Sequence, residues 1–325
     1  MGATIKNRIT QIGMTLALPV FIYIVFLILA PNNFGRPFGI YVSLMQSVTP
    51  TLIGWGICLN LLVGAWDFSA GAVVSLSAVF AAYASQTYGL AGLVITCLVS
   101  AFLLEVLTGA VFTLLRIPSI ITTIGMMLIY ESITQLYRGG SNVTIKKEVS
   151  ALGTFPWIFI VLIIAAFLFH VIYEHSKIGY DVRSVGNGVQ VAKNIGINPR
   201  WVKFLTFVVG GLFIGIATII HLSYGGTVGP KANMDTLNLT FTPIMGVVLG
   251  IAISRYCGLM LGIFIGEFSL NMITSGLVAM SLSGNMQKII TGVALMIVLI
   301  LTSVRENRAA TKVAVKNIRA GEGST

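Results

Sequence analysis

Ten apolar stretches, separated by short turns and one long basic loop, constrain this chain of 325 residues more than any motif does. Hydrophobic residues make up 56% of it and charged residues only 9%, with a mean hydropathy of +0.94, so lipid is the solvent the sequence expects. A chain in lipid must satisfy its backbone polar groups internally, and helices do so most simply. The expected fold class is therefore all-α: a polytopic integral membrane protein. A soluble enzyme is excluded.

A hydrocarbon core of about 30 Å needs about 20 apolar residues per helix. The spans read 12–30, 41–64, 70–87, 90–115, 118–137, 156–173, 204–224, 239–254, 257–278 and 286–303. The eighth is short and holds Pro243, and the turn at Thr87-Tyr88-Gly89 is soft, so eight or nine spans are the alternatives to ten. With the N-terminus inside, 14 of the 20 Lys and Arg residues fall on the inner side and 6 on the outer. The positive-inside rule then puts both termini in the cytoplasm and favours an even number of spans.

The net charge of +10 does not point to nucleic acid. The excess lies in inner loops and in the basic tail at 304–325, where anionic lipid accounts for it. Cys58, Cys97 and Cys257 sit in or beside apolar spans without metal-ligand spacing, and read as small packing hydrophobes. No A-x-A cleavage site follows the first span, which reads as a retained anchor.

No linker divides the sequence, so residues 1–325 read as one transmembrane domain. The long hydrophilic segment, 174–203, is punctuated by Gly179, Gly186, Gly188, Gly196 and Pro199. Between the breakers, Val189 to Ile195 predicts one short helix showing Gln190, Lys193 and Asn194, either a docking element or a solvated connector. Two outer loops, Arg138 to Pro156 and Gly225 to Asn238, carry Arg138, Lys146, Lys147 and Lys231 and have more content than a turn requires. An internal echo also appears. Thr49-Pro50 opens a span ending at Gly64, and Thr242-Pro243 opens one ending at Gly250. Repeats of this kind often bracket a transport pathway.

Glu105, Glu131 and Glu267 fall within spans, where a carboxylate costs roughly 2.5–3.5 kcal/mol on insertion scales. Thr108 and Asn271, one turn from Glu105 and Glu267, are the local donors expected to satisfy them. Each acid either lines a polar route or bridges helices in neutral form. Asp67, with Ser69, either caps the third span or belongs to an inner gate. Asn60, Gln46 and Asn271 read as helix glue or ligand contacts, and His221 and Tyr224 stand at the outer end of the seventh span.

Several segments carry a resemblance. Trp66-Asp67-Phe68-Ser69-Ala70-Gly71 is similar to a G-I-D-L-S-V-G motif, and Leu115-Arg116-Ile117-Pro118-Ser119 with Thr123-Ile124-Gly125-Met126-Met127 to R-I-P-x-F-I-x-T-L-G-M. Gly179 to Gly186 and Ala192 to Asn198 resemble a degenerate coupling motif, Arg138-Gly139-Gly140 a T-G-G, and Val247-Val248-Leu249-Gly250 a V-V-L-G. In this order, from about residue 45 to 303, they resemble the permease subunits of ATP-binding-cassette importers of the ribose, xylose and galactose type. Related permeases handle autoinducer-2, nucleosides and branched-chain amino acids.

The resemblance implies a permease without its own ATP site, translocating a monosaccharide or similar small polar solute across a bacterial inner membrane. ATP and Mg²⁺ would sit on separate nucleotide-binding subunits; the sequence itself has no G-x-x-x-x-G-K-[ST] loop. Gln190, Ala192, Lys193, Gly196 and Asn198 would couple to that ATPase. Arg138, Lys146, Lys147 and Lys231 would meet an extracytoplasmic solute-binding protein. Asp67, Ser69, Glu105, Glu267 and Asn271 are the candidates for the pathway, and a second permease, identical or not, would complete the pore. The competing readings are an ion-gradient-coupled carrier and a membrane enzyme or scaffold; the latter lacks any constellation with catalytic spacing.

Overall fold

The computed structural model describes residues 2–300 apart from 32, 36, 285, 288, 291, 294, 295 and 297–299. The expected tail at 304–325 lies outside the described residues, and the expected span at 286–303 falls largely outside them. Among the described residues the chain forms α1 (Gly2–Leu29), α2 (Pro37–Leu62), α3 (Ala70–Leu115), α4 (Ser119–Leu136) and α5 (Trp157–His170). There follow α6 (Lys177–Asn187), α7 (Val189–Asn194), α8 (Pro199–Gly225), α9 (Leu237–Cys257) and α10 (Leu259–Ala279). The strands β1 (Val143–Thr144) and β2 (Thr227–Val228) pair antiparallel and tie the two long loops together at one end of the bundle.

Six of the described helices are long and apolar enough to cross a membrane: Gly39–Leu62, Ala70–Leu115, Trp157–His175, Pro199–Gly225, Leu237–Cys257 and Leu259–Ala279. A shorter apolar stretch, Gly13–Leu29, adjoins them. The chain is an all-α, multi-pass membrane protein. The 46-residue α3 is interrupted at Gly89, whose φ of +59° and ψ of −143° are open to glycine and costly for other residues. The chain doubles back there, because Asp67, just before the first half, lies within reach of Glu105 in the second.

α8 is the central helix, buried against α2 and α3. In lipid no hydrophobic force drives one helix onto another, so close approach depends on small residues. Gly56 of α2 meets Gly210 of α8, and Gly109 of α3 makes room for Phe207. α9 and α10 cross through two small-xxx-small pairs, with Gly262 against the Gly250 carbonyl and Gly266 against that of Gly246. Large apolar side chains instead point outward: Ile163, Ile164 and Phe167 of α5 and Phe21 and Ile28 of α1 are exposed, as a lipid-facing surface requires.

The segment 174–203 holds two helices, α6 and α7, where the sequence suggested one. Gly179 and Gly186 are not breakers. Gly179 sits against the carbonyls of Ile172 and Tyr173, and Gly186 against that of Leu62, so both let α6 lie flat on the end of the bundle. Val182 and Val185 on that same side are buried. Ser176 starts the helix by accepting from the Gly179 amide at 3.2 Å. α8 runs from beside α7 to beside β2, so the α7 end and the β1–β2 end are opposite ends of the molecule.

Candidate functional site

Toward the β1–β2 end, α2, α8, α9 and α10 line an open cavity of about 250 Å³. Its polar lining is Gln46, Thr49, His221, Tyr224, Asn238, Thr242 and Asn271, and among the described residues no Asp, Glu, Lys or Arg lines it. The two echoed dipeptides, Thr49-Pro50 and Thr242-Pro243, both contribute to its wall. Pro50 and Pro243 stand inside α2 and α9, where each removes a backbone donor and loosens its helix. Both helices run unbroken through their prolines, so the eighth span, expected to be short, is a continuous helix of 21 residues. Proline-bearing segments in corresponding positions nevertheless point to a binding site in many transporters. The sequence named Gln46, Asn271, His221 and Tyr224 separately; the fold gathers them. Asn238 was missed, because as the edge of a loop it carried no signal of its own.

Asn271 does not satisfy Glu267 as the sequence suggested. Its Nδ2 donates to the Glu267 main-chain carbonyl at 3.0 Å, leaving the carboxyl to turn away. That carboxyl is fully buried and nests against Gly246 of α9 and Gly54 of α2, with neither oxygen hydrogen-bonded. Gly54 follows the cavity-lining Ile53, and Gly246 lies one turn beyond Pro243. Glu267 is thus about one turn deeper in the bundle than the pocket lining on α9 and α10, and directly beside it on α2.

A second polar cluster lies further from the β1–β2 end. Asp67 Oδ1 accepts from the Ser69 amide at 2.9 Å and from Ser69 Oγ at 2.6 Å, closing a turn that feeds α3. The backbone here is non-helical yet inside the protein, the condition under which a membrane tolerates it. Glu105 lies beside Asp67, about 15 Å along α3 from its end at Leu115. Thr108 does not reach Glu105; it donates to the Leu104 carbonyl at 3.0 Å and shares a 3.0 Å hydrogen bond with Tyr130 Oη. Asn60, also fully buried, has neither side-chain atom bonded and borders Gly210. Asp67, Ser69 and Glu105 are therefore together, while Glu267 and Asn271 belong with the cavity.

Glu131, the third intramembrane acid, has a structural task. Its carboxylate accepts from the Met234 amide at 2.9 Å, the Thr236 amide at 2.8 Å and Thr236 Oγ1 at 2.6 Å, fastening the approach to α9 onto α4. Of the four loop cations at the β1–β2 end, Arg138 lies over the Tyr83 ring at 4.8 Å and Lys231 pairs with Asp235 at 2.9 Å. Lys146 and Lys147 are exposed beside β1.

At the opposite end, α7 is held by Ala192, which is fully buried, while Gln190 and Lys193 face out. Gly196 turns the chain with φ +84°. Asn198 caps α8, its Oδ1 accepting from the Arg200 amide at 3.1 Å. Arg183 braces the underside, donating to the Tyr173 carbonyl at 2.8 Å and to Glu174 at 3.1 Å. Among the described residues no group of three or more His, Cys, Asp or Glu is placed to hold a metal ion.

A helical membrane bundle with a polar pocket between two proline-bearing helices has the features of a solute permease. The chain belongs to the family of the branched-chain amino acid transport system / permease component, which it matches over residues 39–299. It is 27% identical over 282 residues to the galactofuranose transporter permease protein of Escherichia coli (strain K12), covering 83% of this chain and 82% of that one. It is 28% identical over 262 residues to an autoinducer 2 import system permease protein of Photorhabdus luminescens, covering 77% of each chain. To the ribose import permease protein of E. coli (strain K12) it is 24% identical over 296 residues, 86% of this chain and 89% of that one.

Proposed function

We propose that this chain is the membrane-spanning permease subunit of an ATP-binding-cassette importer in a bacterial inner membrane, moving a monosaccharide or similar small polar solute inward. Residues 1–325 form one permease domain in this reading, with about ten spans and both termini cytoplasmic. The α7 end is then the cytoplasmic face, with 174–203 as its coupling segment and 304–325 as a basic tail, and the β1–β2 end faces outward. A separate ATPase subunit docks on Gln190 and Lys193, a second permease completes the pore, and a solute-binding protein delivers cargo near Lys146 and Lys147.

The observation that carries the substrate class is the cavity. A hydroxylated neutral solute needs several hydrogen-bonding partners to replace its water, and Gln46, Thr49, Asn238, Thr242 and Asn271 supply them without a charge. Its volume lies just below the ~300–1,000 Å³ of drug-sized pockets, which suits a single small molecule. Relatives named for galactofuranose, ribose and autoinducer 2 support a small polar cargo.

The test is reconstitution. Vesicles holding this chain with its co-purified, Walker-motif partner should accumulate solute only with ATP, and Asn271→Ala should raise the concentration needed for half-maximal uptake. Accumulation by this chain alone, collapsing with an ion gradient, would establish the gradient-coupled carrier instead.

A further inference from the structure

At the α7 end a cleft of about 620 Å³ opens between the end of α3, the start of α4 and the start of α8. Three cations, Arg116, Arg200 and Lys203, line it, and among the described residues no carboxylate does. The nearest acid in sequence, Asp67, is buried and engaged with Ser69. The ion pairs among the described residues, Arg183 with Glu174 and Lys231 with Asp235, involve none of the three cations. Arg116 also ends α3 in a left-handed conformation, φ +58°, which a residue with a side chain adopts only at a cost.

The surroundings identify the anion. Leu114, Leu115, Ile117, Ile120 and Ile121 beside the cleft are exposed and apolar, continuous with the lipid-facing sides of α3 and α4. Trp66 at the cleft and Trp201 beside Arg200 are exposed aromatics of the kind that settle at a headgroup interface. An acidic loop of a protein partner would meet a polar rim. A phosphate carrying two acyl chains would meet this one, with cations for the headgroup and an apolar wall for the chains.

We propose that this cleft binds the headgroup of an anionic phospholipid of the inner leaflet, against Arg116, Arg200 and Lys203. Arg200 and Lys203 also border the groove between α7 and the start of α8, lined by Lys193, Gly196 and Asn198. The lipid therefore sits against the same stretch of α8 that borders the α7 groove. The inference rests on the importer reading only for which leaflet the α7 end meets.

Native mass spectrometry of the purified full chain with added dioleoyl phosphatidylglycerol and dioleoyl phosphatidylcholine tests it. Each cation near an anionic headgroup contributes about fivefold to binding. The wild type should retain phosphatidylglycerol preferentially, and Arg116→Gln/Arg200→Gln/Lys203→Gln should lose at least about tenfold of that preference. The three single Gln variants, each expected to show a partial loss, keep the test open if the triple variant does not fold. Lys146→Gln/Lys147→Gln, at the other end, should retain the preference in full. Undiminished preference in the single and triple variants overturns the proposal. So does displacement of the lipid by inorganic phosphate, which would make the cleft a soluble-anion site, or by the ATPase subunit, which would make it a protein contact. Lipid retention is read without transport, so its failure leaves the importer reading standing, and failure of ATP-driven uptake leaves the lipid site standing.

Discussion

At the scale of single residues, Gly246 and Glu267 form a matched pair. A methyl group at Gly246 would overlap the Glu267 carboxyl, because the acid occupies the space that a side chain there would fill. Gly246→Ala should therefore cost about 1–3 kcal/mol, as overpacking does, read as a lower unfolding temperature in detergent. Adding Glu267→Ala should restore part of that loss, and simple additivity of the two changes would mean they do not touch. Glu267→Gln keeps the shape and removes the charge; unchanged uptake in that variant would take the acid out of the solute route. All three intramembrane glutamates were visible in the sequence as anomalies of composition. Their tasks were not, because Glu131 is satisfied by residues far along the chain, Met234 and Thr236, that no local spacing reveals.

At the scale of elements, α6 is the part that sequence rules misjudge. Its glycines read as punctuation, since glycine weakens helices, yet Gly179 and Gly186 are close-approach positions inside or beside a helix. The α7 helix itself was legible from its spacing between Gly188 and Gly196. Gly196 has open space where a side chain would project, so substitution there strains the backbone by about 1 kcal/mol without a clash. Gly196→Arg should uncouple the importer, giving ATP hydrolysis with little uptake, whereas Gly196→Ala, with the same strain and no added cation, should transport. Equal defects in both would assign the effect to the turn and not to docking. The break in α3 at Gly89 was legible as a turn, while α6, the first helix of the hydrophilic segment, was hidden by its own glycines.

At the scale of the whole molecule, apolar composition gave the class of fold and the positive-inside rule gave an orientation to test. A cysteine at Lys146 should react with a membrane-impermeant maleimide added to intact cells, and one at Lys193 only after the cells are opened. Labelling of both from the same side would overturn the proposed topology. Cys58 and Cys97 are buried, and Cys257, half-buried at the end of α9, is first replaced by Ser. What composition could not convey is convergence. The Thr-Pro dipeptides lie far apart in sequence and become neighbours only when α2 and α9 pack side by side.

The continuous α8 has a mechanical consequence. Arg200 near one end borders the groove of α7, and His221 near the other lines the solute cavity, about 30 Å away along the same helix axis. A stiff rod pivoting on its glycine contacts with α2 and α3 carries a nudge at its foot to its tip as a swing. In the proposed importer, a small shove from a cytoplasmic engine would then reshape the chamber, with no relay of side chains between them.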